Sequence, residues 1–382
     1  FQRLLGMFPN AKNYYENQFY FAIALMNSGQ FKAADAEFTS LIGSRGQHTY
    51  GDTGLWGQFT TRQRVLMDKY GSFENRAPDA QLESEVPTAG GTTRPVYKVG
   101  EDYLAYIEVA DVLVDAQIED GNVADQVDPL RATMAYEPGQ IMFTHGHYEE
   151  ARERLQKVID RWPNKNQAAY AANYIVVSYK NEDDYANVRK WSGRFAAMQL
   201  GEDPAIAEEW DFADMQEKAA FIMATQLKAK GDNAGAAEAF LAFMKEFPNS
   251  EYVQAAHMNA ARRLDDIGET DRANKLFLDY IARIEDGRYE IVTVDKDGKV
   301  SANWWVYEKI ARNYVKLLDL SEAVRFYEML YQRSAASDTP YADANNALYN
   351  AGRLKIGLSD HRGAATTLER YSSILVPTEP TQ

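Results

Sequence analysis

Apolar residues recur at helical spacing along most of the chain, and the spacing carries a second, longer rhythm. Gly29/Ala34/Phe38, Gly146/Ala151/Leu155, Gly231/Ala236/Phe240 and Gly268/Ala273/Phe277 share one pattern: Gly, then Ala five residues on, then a large apolar residue four beyond. Pro163 and Pro248 stand eight residues after two of these. Weaker copies follow at Ala323/Tyr327 and Ala364/Leu368, and a copy centred on Val188 with Tyr185 and Phe195 fills the middle. From Ala151 the anchors are 37, 48, 37, 50 and 41 residues apart. Gly accepts the positive φ that ends a first helix, Ala lets a second helix approach closely, and Pro stops it. A helical hairpin cannot bury its apolar face alone, so neighbours must stack into an α-solenoid.

Two segments depart from this rhythm. Trp56–Tyr70 and Glu101–Ile118 are helical in period, but 71–100 between them is rich in Pro, Gly, Thr and Ser and reads as a long exposed loop inserted into one hairpin. From Tyr289 to Ser301 the period changes to two through Ile291, Val292, Thr293 and Val294, turns at Asp297-Gly298 and returns through Val300, which predicts a β-hairpin. The expected organisation is an N-terminal unit at 1–44, an interrupted hairpin at 45–121, a central array at 122–286, the β-hairpin at 287–302 and a last array at 303–382.

The anchors resemble tetratricopeptide (TPR) units, whose pattern sets small residues at positions 8 and 20, a large one at 24 and Pro at 32. Ala22, Ala224, Ala261, Ala311 and Gly352 fall at position 8 when each unit is registered on its own anchor. The resemblance spans about 8–43 and 134–374, and it implies an all-α, right-handed solenoid of about eight helical hairpins. The usual Trp at position 4 is missing from most units and the regular spacing is stretched. Phe8-Pro9-Asn10-Ala11 and Phe247-Pro248-Asn249-Ser250-Glu251-Tyr252 are similar to runs in bacterial envelope TPR proteins of the BamD and Tol-Pal coordinator type. That narrower resemblance implies a scaffold in the periplasm or at the outer membrane.

The family resemblance further implies that positions 2, 5, 9, 12 and 13 of each first helix line a concave face that holds partner peptides. Arg262, Arg312 and Arg353 all take position 9, Trp305 takes position 2, and Lys228 and Lys180 take position 12. Such a wall would clamp an acidic or C-terminal segment, because Arg offers a planar fork to carboxylates. The competing expectation is that the Arg residues pair with Asp265, Asp266 and Glu308 of the chain itself.

Charge sharpens the choice of partner. Forty-one Lys and Arg stand against fifty-six Asp and Glu, a net charge of −15, which opposes nucleic acid. With 45% hydrophobic and 25% charged residues the composition is that of a folded protein, and no apolar run is long enough to span a bilayer. The absence of Cys removes disulfides, thiolate metal sites and a Cys nucleophile, and it suits an oxidising compartment. The first residue is Phe1 rather than Met, in what reads as a helix, so a processed N-terminus is expected, which leaves room for a signal peptide and a lipid anchor upstream.

Chemistry is thin. His145 and His147 flank Gly146 without a third or fourth ligand and read as exposed turn residues. Asp295-Lys296-Asp297-Gly298 lacks the remaining ligands of a calcium loop. Paired acids such as Glu149-Glu150 and Asp265-Asp266 point apart on a helix, and no phosphate loop, nucleophile elbow or HExxH occurs. No cofactor, metal or catalytic residue is expected. The leading expectation is a non-catalytic scaffold that binds other proteins and helps assemble an envelope complex. A cytoplasmic adaptor or chaperone, and a glycan-processing enzyme on an α-superhelix, are the alternatives.

Overall fold

In a computed structural model the chain is described from residue 2 to 375, apart from 45, 47, 74, 295–299 and 338–339. It is mostly helical, and it divides into two compact units, 1–219 and 220–382. Seven antiparallel helix pairs follow the predicted rhythm: α2 (Tyr14–Asn27) with α3 (Phe31–Gly43), α7 (Arg131–Thr144) with α8 (Tyr148–Arg161), α9 (Asn166–Asn181) with α10 (Tyr185–Ala196), α12 (Phe212–Ala229) with α13 (Asn233–Glu246), α14 (Val253–Asp266) with α15 (Thr270–Glu285), α16 (Trp305–Lys316) with α17 (Leu320–Ala335), and α18 (Ala344–Gly357) with α19 (His361–Leu375). An eighth pair, α4 (Gly51–Tyr70) with α5 (Glu101–Asp115), carries the insertion. The short helices α1 (Gln2–Met7), α6 (Gly121–Val127) and α11 (Pro204–Glu209) complete the set.

The repeat grammar is a packing rule. Ala34, Ala151, Ala236, Ala273 and Ala323 are fully buried, as are Phe38, Leu155, Phe240 and Phe277 four residues on. On the facing first helices Ala22, Ala224, Ala261 and Ala311 are buried too. At Gly352 a methyl group would lie 2.6 Å from the Leu368 side chain, so this pair closes only over a glycine. Each first helix hands over to its second through one residue of positive φ. Gly29, Gly146, Gly231 and Gly268 fill that position in four pairs, and Asp183, Leu318 and Ser359 fill it in three others.

The 71–100 insertion is where the structure departs from expectation. It contains a second β-hairpin, β1 (Leu82–Pro87) and β2 (Thr93–Tyr97), paired antiparallel with an irregularity between Leu82 and Ser84. The hairpin lies on the turns of the next two helix pairs. Tyr97 N donates to the His145 carbonyl at 2.8 Å and Ala89 N donates to the Glu182 carbonyl at 2.8 Å. Arg94 reaches the Gly146 carbonyl at 2.6 Å and the Glu182 carboxylate at 2.7 Å while stacking 4.1 Å over the Tyr148 ring. Thr88 donates to Asp183 at 2.8 Å. A polar insertion thereby satisfies helix-end carbonyls that would otherwise face water. The same contact corrects the expectation that His145 is exposed: it is fully buried beneath the hairpin, and its Nδ1 donates to the Ile141 carbonyl at 2.8 Å.

The other predicted ribbon forms from β3 (Val292–Val294) and β4 (Val300–Ala302), in register Val292 with Ala302 and Val294 with Val300. Its predicted turn, with Asp295, Lys296, Asp297 and Gly298, lies outside the described residues.

Candidate functional site: the first helices of the second unit

Three first helices of the second unit, α14, α16 and α18, carry the Arg residues singled out from the sequence. Arg262, at mid-α14, is exposed, and its guanidinium stacks 4.2 Å over the Trp305 indole at the start of α16. Trp305 is held in turn by Asn303, to which its Nε1 donates at 3.3 Å, and by the Phe277 ring at 6.0 Å. Burial of the stacked face, and then the neighbouring Arg263, pulls the Arg262 pKa below its ordinary value. A stacked guanidinium keeps its N–H edge free in the ring plane, which is the edge that meets a carboxylate.

Arg312, also exposed, is engaged within the chain by the Glu308 carboxylate one turn earlier. Arg353 is exposed and sits 5.6 Å from the Tyr349 ring on its own helix. Lys228 is exposed in the last turn of α12. Lys180 is exposed in the last turn of α9 and belongs to the first unit, so the structure does not gather all six residues in one unit.

The acids expected to neutralise the Arg residues are largely taken by other cations. Asp265 is buried and receives Lys309 at 2.5 Å and Lys316 at 3.2 Å. Burial pushes its carboxyl up, but the two Lys hydrogen bonds outweigh this and hold it below its ordinary value. Asp266 pairs with Arg263 at 3.1 Å. Glu308 alone meets one of the three Arg residues, and it also accepts a 2.7 Å hydrogen bond from Tyr341. Lys309, Lys316 and Tyr341 were missed because helix period shows which face a side chain shares, not which ion it reaches across a helix boundary.

The first unit holds polar groups of a different kind. Burial lifts the Glu137 carboxyl to about 7, against a lowering hydrogen bond from the Tyr106 hydroxyl, whose ring packs on Phe59 and Phe73. A displaced carboxyl pKa is a mark of active sites, but Glu137 is walled by these aromatic rings in the core. His147 Nε2 donates to the Tyr97 carbonyl at 2.9 Å. Among the described residues no group of three or more His, Asp or Glu is arranged to hold a metal. An open cleft of about 770 Å³ runs along α3, α4 and α5, where Arg62 is spent on Asp35 at 2.8 Å and on the Ala105 carbonyl at 2.6 Å. No helix among the described residues is long and apolar enough to cross a membrane.

Comparison with known proteins gives the repeats a name. A family model described as tetratricopeptide repeat matches residues 130–165 and 218–250, which are the α7/α8 and α12/α13 pairs. Solved structures similar to the chain include BtubC (BKLC) from P. vanneervenii, at 15% identity over 62% of this chain and 92% of that one with a TM-score of 0.34. The apo form of RapI matches at 13% identity over 94% and 86%, with a TM-score of 0.30. The pilF protein of Pseudomonas aeruginosa matches at 14% identity over 65% and 93%, with a TM-score of 0.29. No curated protein matches the chain. The chain carries tetratricopeptide repeats.

Proposed function

We propose that the chain is a non-catalytic scaffold that holds acidic or C-terminal segments of partner proteins against the first helices of its second unit. The Arg262–Trp305 stack carries this reading. It fixes a cation on an aromatic plate in an exposed position, and Asp265 and Asp266, the acids nearest in sequence, are engaged by Lys309, Lys316 and Arg263. Arg353 adds a second exposed cation, and Arg312 a third that a partner carboxylate would draw from Glu308. Aromatic and Arg side chains concentrate binding energy in such surfaces.

The setting we infer is the bacterial envelope, where the scaffold would brace a multiprotein complex. The Cys-free composition and the Phe-Pro-Asn runs at Phe8 and Phe247 support that placement. Replacing Arg262, Arg312 and Arg353 together by Glu tests the binding reading. Titration of a fluorescent acidic peptide with a free C-terminus should show affinity lost at least about tenfold in the triple variant. Equal affinity, or no saturable binding by the parent protein, would refute it.

A further inference from the structure

Among the second helices of the pairs, α10 differs in charge. α3, α5, α8, α13, α15, α17 and α19 each carry at least one Asp or Glu, whereas α10 carries none. From Tyr185 to Gly201 the chain holds Arg189, Lys190 and Arg194 and no acid, inside a unit with twenty-one Lys and Arg against thirty-three Asp and Glu. Packing fixes which face of the helix is outermost. Val188, Ser192 and Phe195 are buried, and Gly193 lies so close to α12 that a methyl group there would meet the Gln216 amide at 2.9 Å. The stripe of Ala186, Lys190, Arg194 and Ala197 is exposed, so two cations one turn apart share an open face between small residues.

Trp191 joins the two cations. Its half-buried ring rests on Phe195 at 5.5 Å, while Lys190 Nζ and the Arg194 guanidinium lie over it at 5.8 Å and 5.0 Å. The acids that flank the helix in sequence are spent elsewhere. Glu182 holds Arg94 and Arg152, Asp183 accepts from Thr88, and Asp184 caps α10 through the Asn187 amide. Glu202 pairs with Lys165, and Asp203 accepts from the Ala205 amide. Arg189 is engaged within the chain, but among the described residues no carboxylate pairs with Lys190 or Arg194.

Charge and scale together select the occupant. An anionic bilayer is held by clusters of roughly four to eight cations, and this face offers two. A bilayer or a nucleic acid also spreads its charge wider than one helix, and would meet the strongly acidic remainder of the unit. A short acidic segment touches the stripe alone. It needs two carboxylates about 6 Å apart, one helical turn, and an apolar side chain to cover the indole. We propose that the outer face of α10 is a second docking surface, distinct from the first helices of the second unit, where Lys190 and Arg194 hold a short acidic segment of a partner protein against Trp191.

Fluorescence anisotropy on the full chain tests it, in a background of Arg262→Glu, Arg312→Glu and Arg353→Glu that removes the other cationic surface. The probe is a fluorescein-labelled, acetylated and amidated peptide with Glu residues one helical turn apart and Leu between them. Saturable binding is expected below roughly 1 mM, weakened at least about tenfold by Lys190→Glu combined with Arg194→Glu. Lys157→Glu, the same change of charge at an exposed position of α8, should leave the affinity within about twofold. Both α10 cations are exposed, so circular dichroism should show helicity intact in the double variant. Absence of saturable binding would overturn the proposal, as would a double variant that binds as its parent does or a Lys157→Glu variant that loses as much. Co-flotation with phosphatidylglycerol vesicles that depends on Lys190 and Arg194, without peptide binding, would overturn it in favour of a lipid surface.

Discussion

Two first helices of the first unit, α7 and α9, and three of the second, α14, α16 and α18, end in opposite chemistry. In the first unit the closing residues of α7 and α9 are His145 and Glu182, and their carbonyls take backbone amides from Tyr97 and Ala89 of the inserted hairpin. In the second unit Ile267, Leu317 and Leu358 occupy the same step, and no described residue donates to their carbonyls. One repeat grammar therefore supports two kinds of edge. The turns that the inserted hairpin covers are polar and those of α14, α16 and α18 carry exposed Leu and Ile, while α2 and α12 close in the polar Ser28-Gly29 and Lys230-Gly231 without such a cover. The helix pair needs only the positive-φ residue at the turn, which leaves its neighbours free to diverge.

The largest test breaks the cover. Arg94→Ala removes a side chain that is mostly buried and joins Glu182, the Gly146 carbonyl and the Tyr148 ring. It should destabilise the first unit by about 2–4 kcal/mol, since a partly buried ion pair and a helix-end bond go together. Hydrogen exchange should show loss of protection around 145–147 and 182–184 with none in α14 to α19. Equal loss in both units would show that the cover is not local.

Acidity separates the units next. Glu137 has its folded pKa raised from 4.5 to about 7, so its stabilising protonated form is fully held below 4.5 and is lost as pH rises through 7. His257 is fully buried, and burial lowers its pKa from 6.5 to about 4 against the raising effect of Asp279. Its contribution is intact above 6.5 and is lost as pH falls through 4. Each shift corresponds to about 3 kcal/mol. Moving from pH 7 to 5 should raise amide protection in α7 and lower it in α14, after correction for intrinsic exchange. His145, whose pKa burial also lowers, opposes Glu137 within the first unit. Glu137→Gln should therefore leave α7 with only the His145 dependence, and a variant that still gains protection on acidification would rule out Glu137 as the source.

The smallest test compares two residues of the same backbone. Leu318→Gly relieves a strained φ and deletes a mostly exposed side chain, so the second unit should gain about 1 kcal/mol. Asp183→Gly relieves a similar φ of 56° but removes the acceptor of Thr88 and Thr92, so the first unit should gain nothing or weaken by about 1 kcal/mol. Matching melting shifts in the two variants would erase the distinction between covered and bare turns.

Much of the fold was legible because it is periodic. The Ala and large apolar anchors recur on one face, and nearly all are core residues, with Tyr185 and Leu368 half-buried. The strands at 292–294 and 300–302 stood out because their period changes from helical to two. The hairpin at 82–97 was hidden by its prolines, which argue against a central strand. Both strands contain one, and Pro95 lies opposite Glu85 in the ladder. Gly90-Gly91 between two strand-like runs was the available signal. In the candidate site, family register placed Arg262 and Trp305 on one wall of successive first helices, and the structure brings them into contact. Register could not show that Lys309 and Lys316 take Asp265, because that depends on side chains meeting between α14 and α16.

The sequence by itself determined the helix pairs, their turn positions and the small residues at which they close, because these depend on local spacing and on the volume of single side chains. Only the tertiary structure decided which turn carbonyls are covered, which carboxylates are spent, and where Leu318 points. Those outcomes rest on segments distant in the chain meeting in space, as Arg94 meets Glu182 and Arg262 meets Trp305.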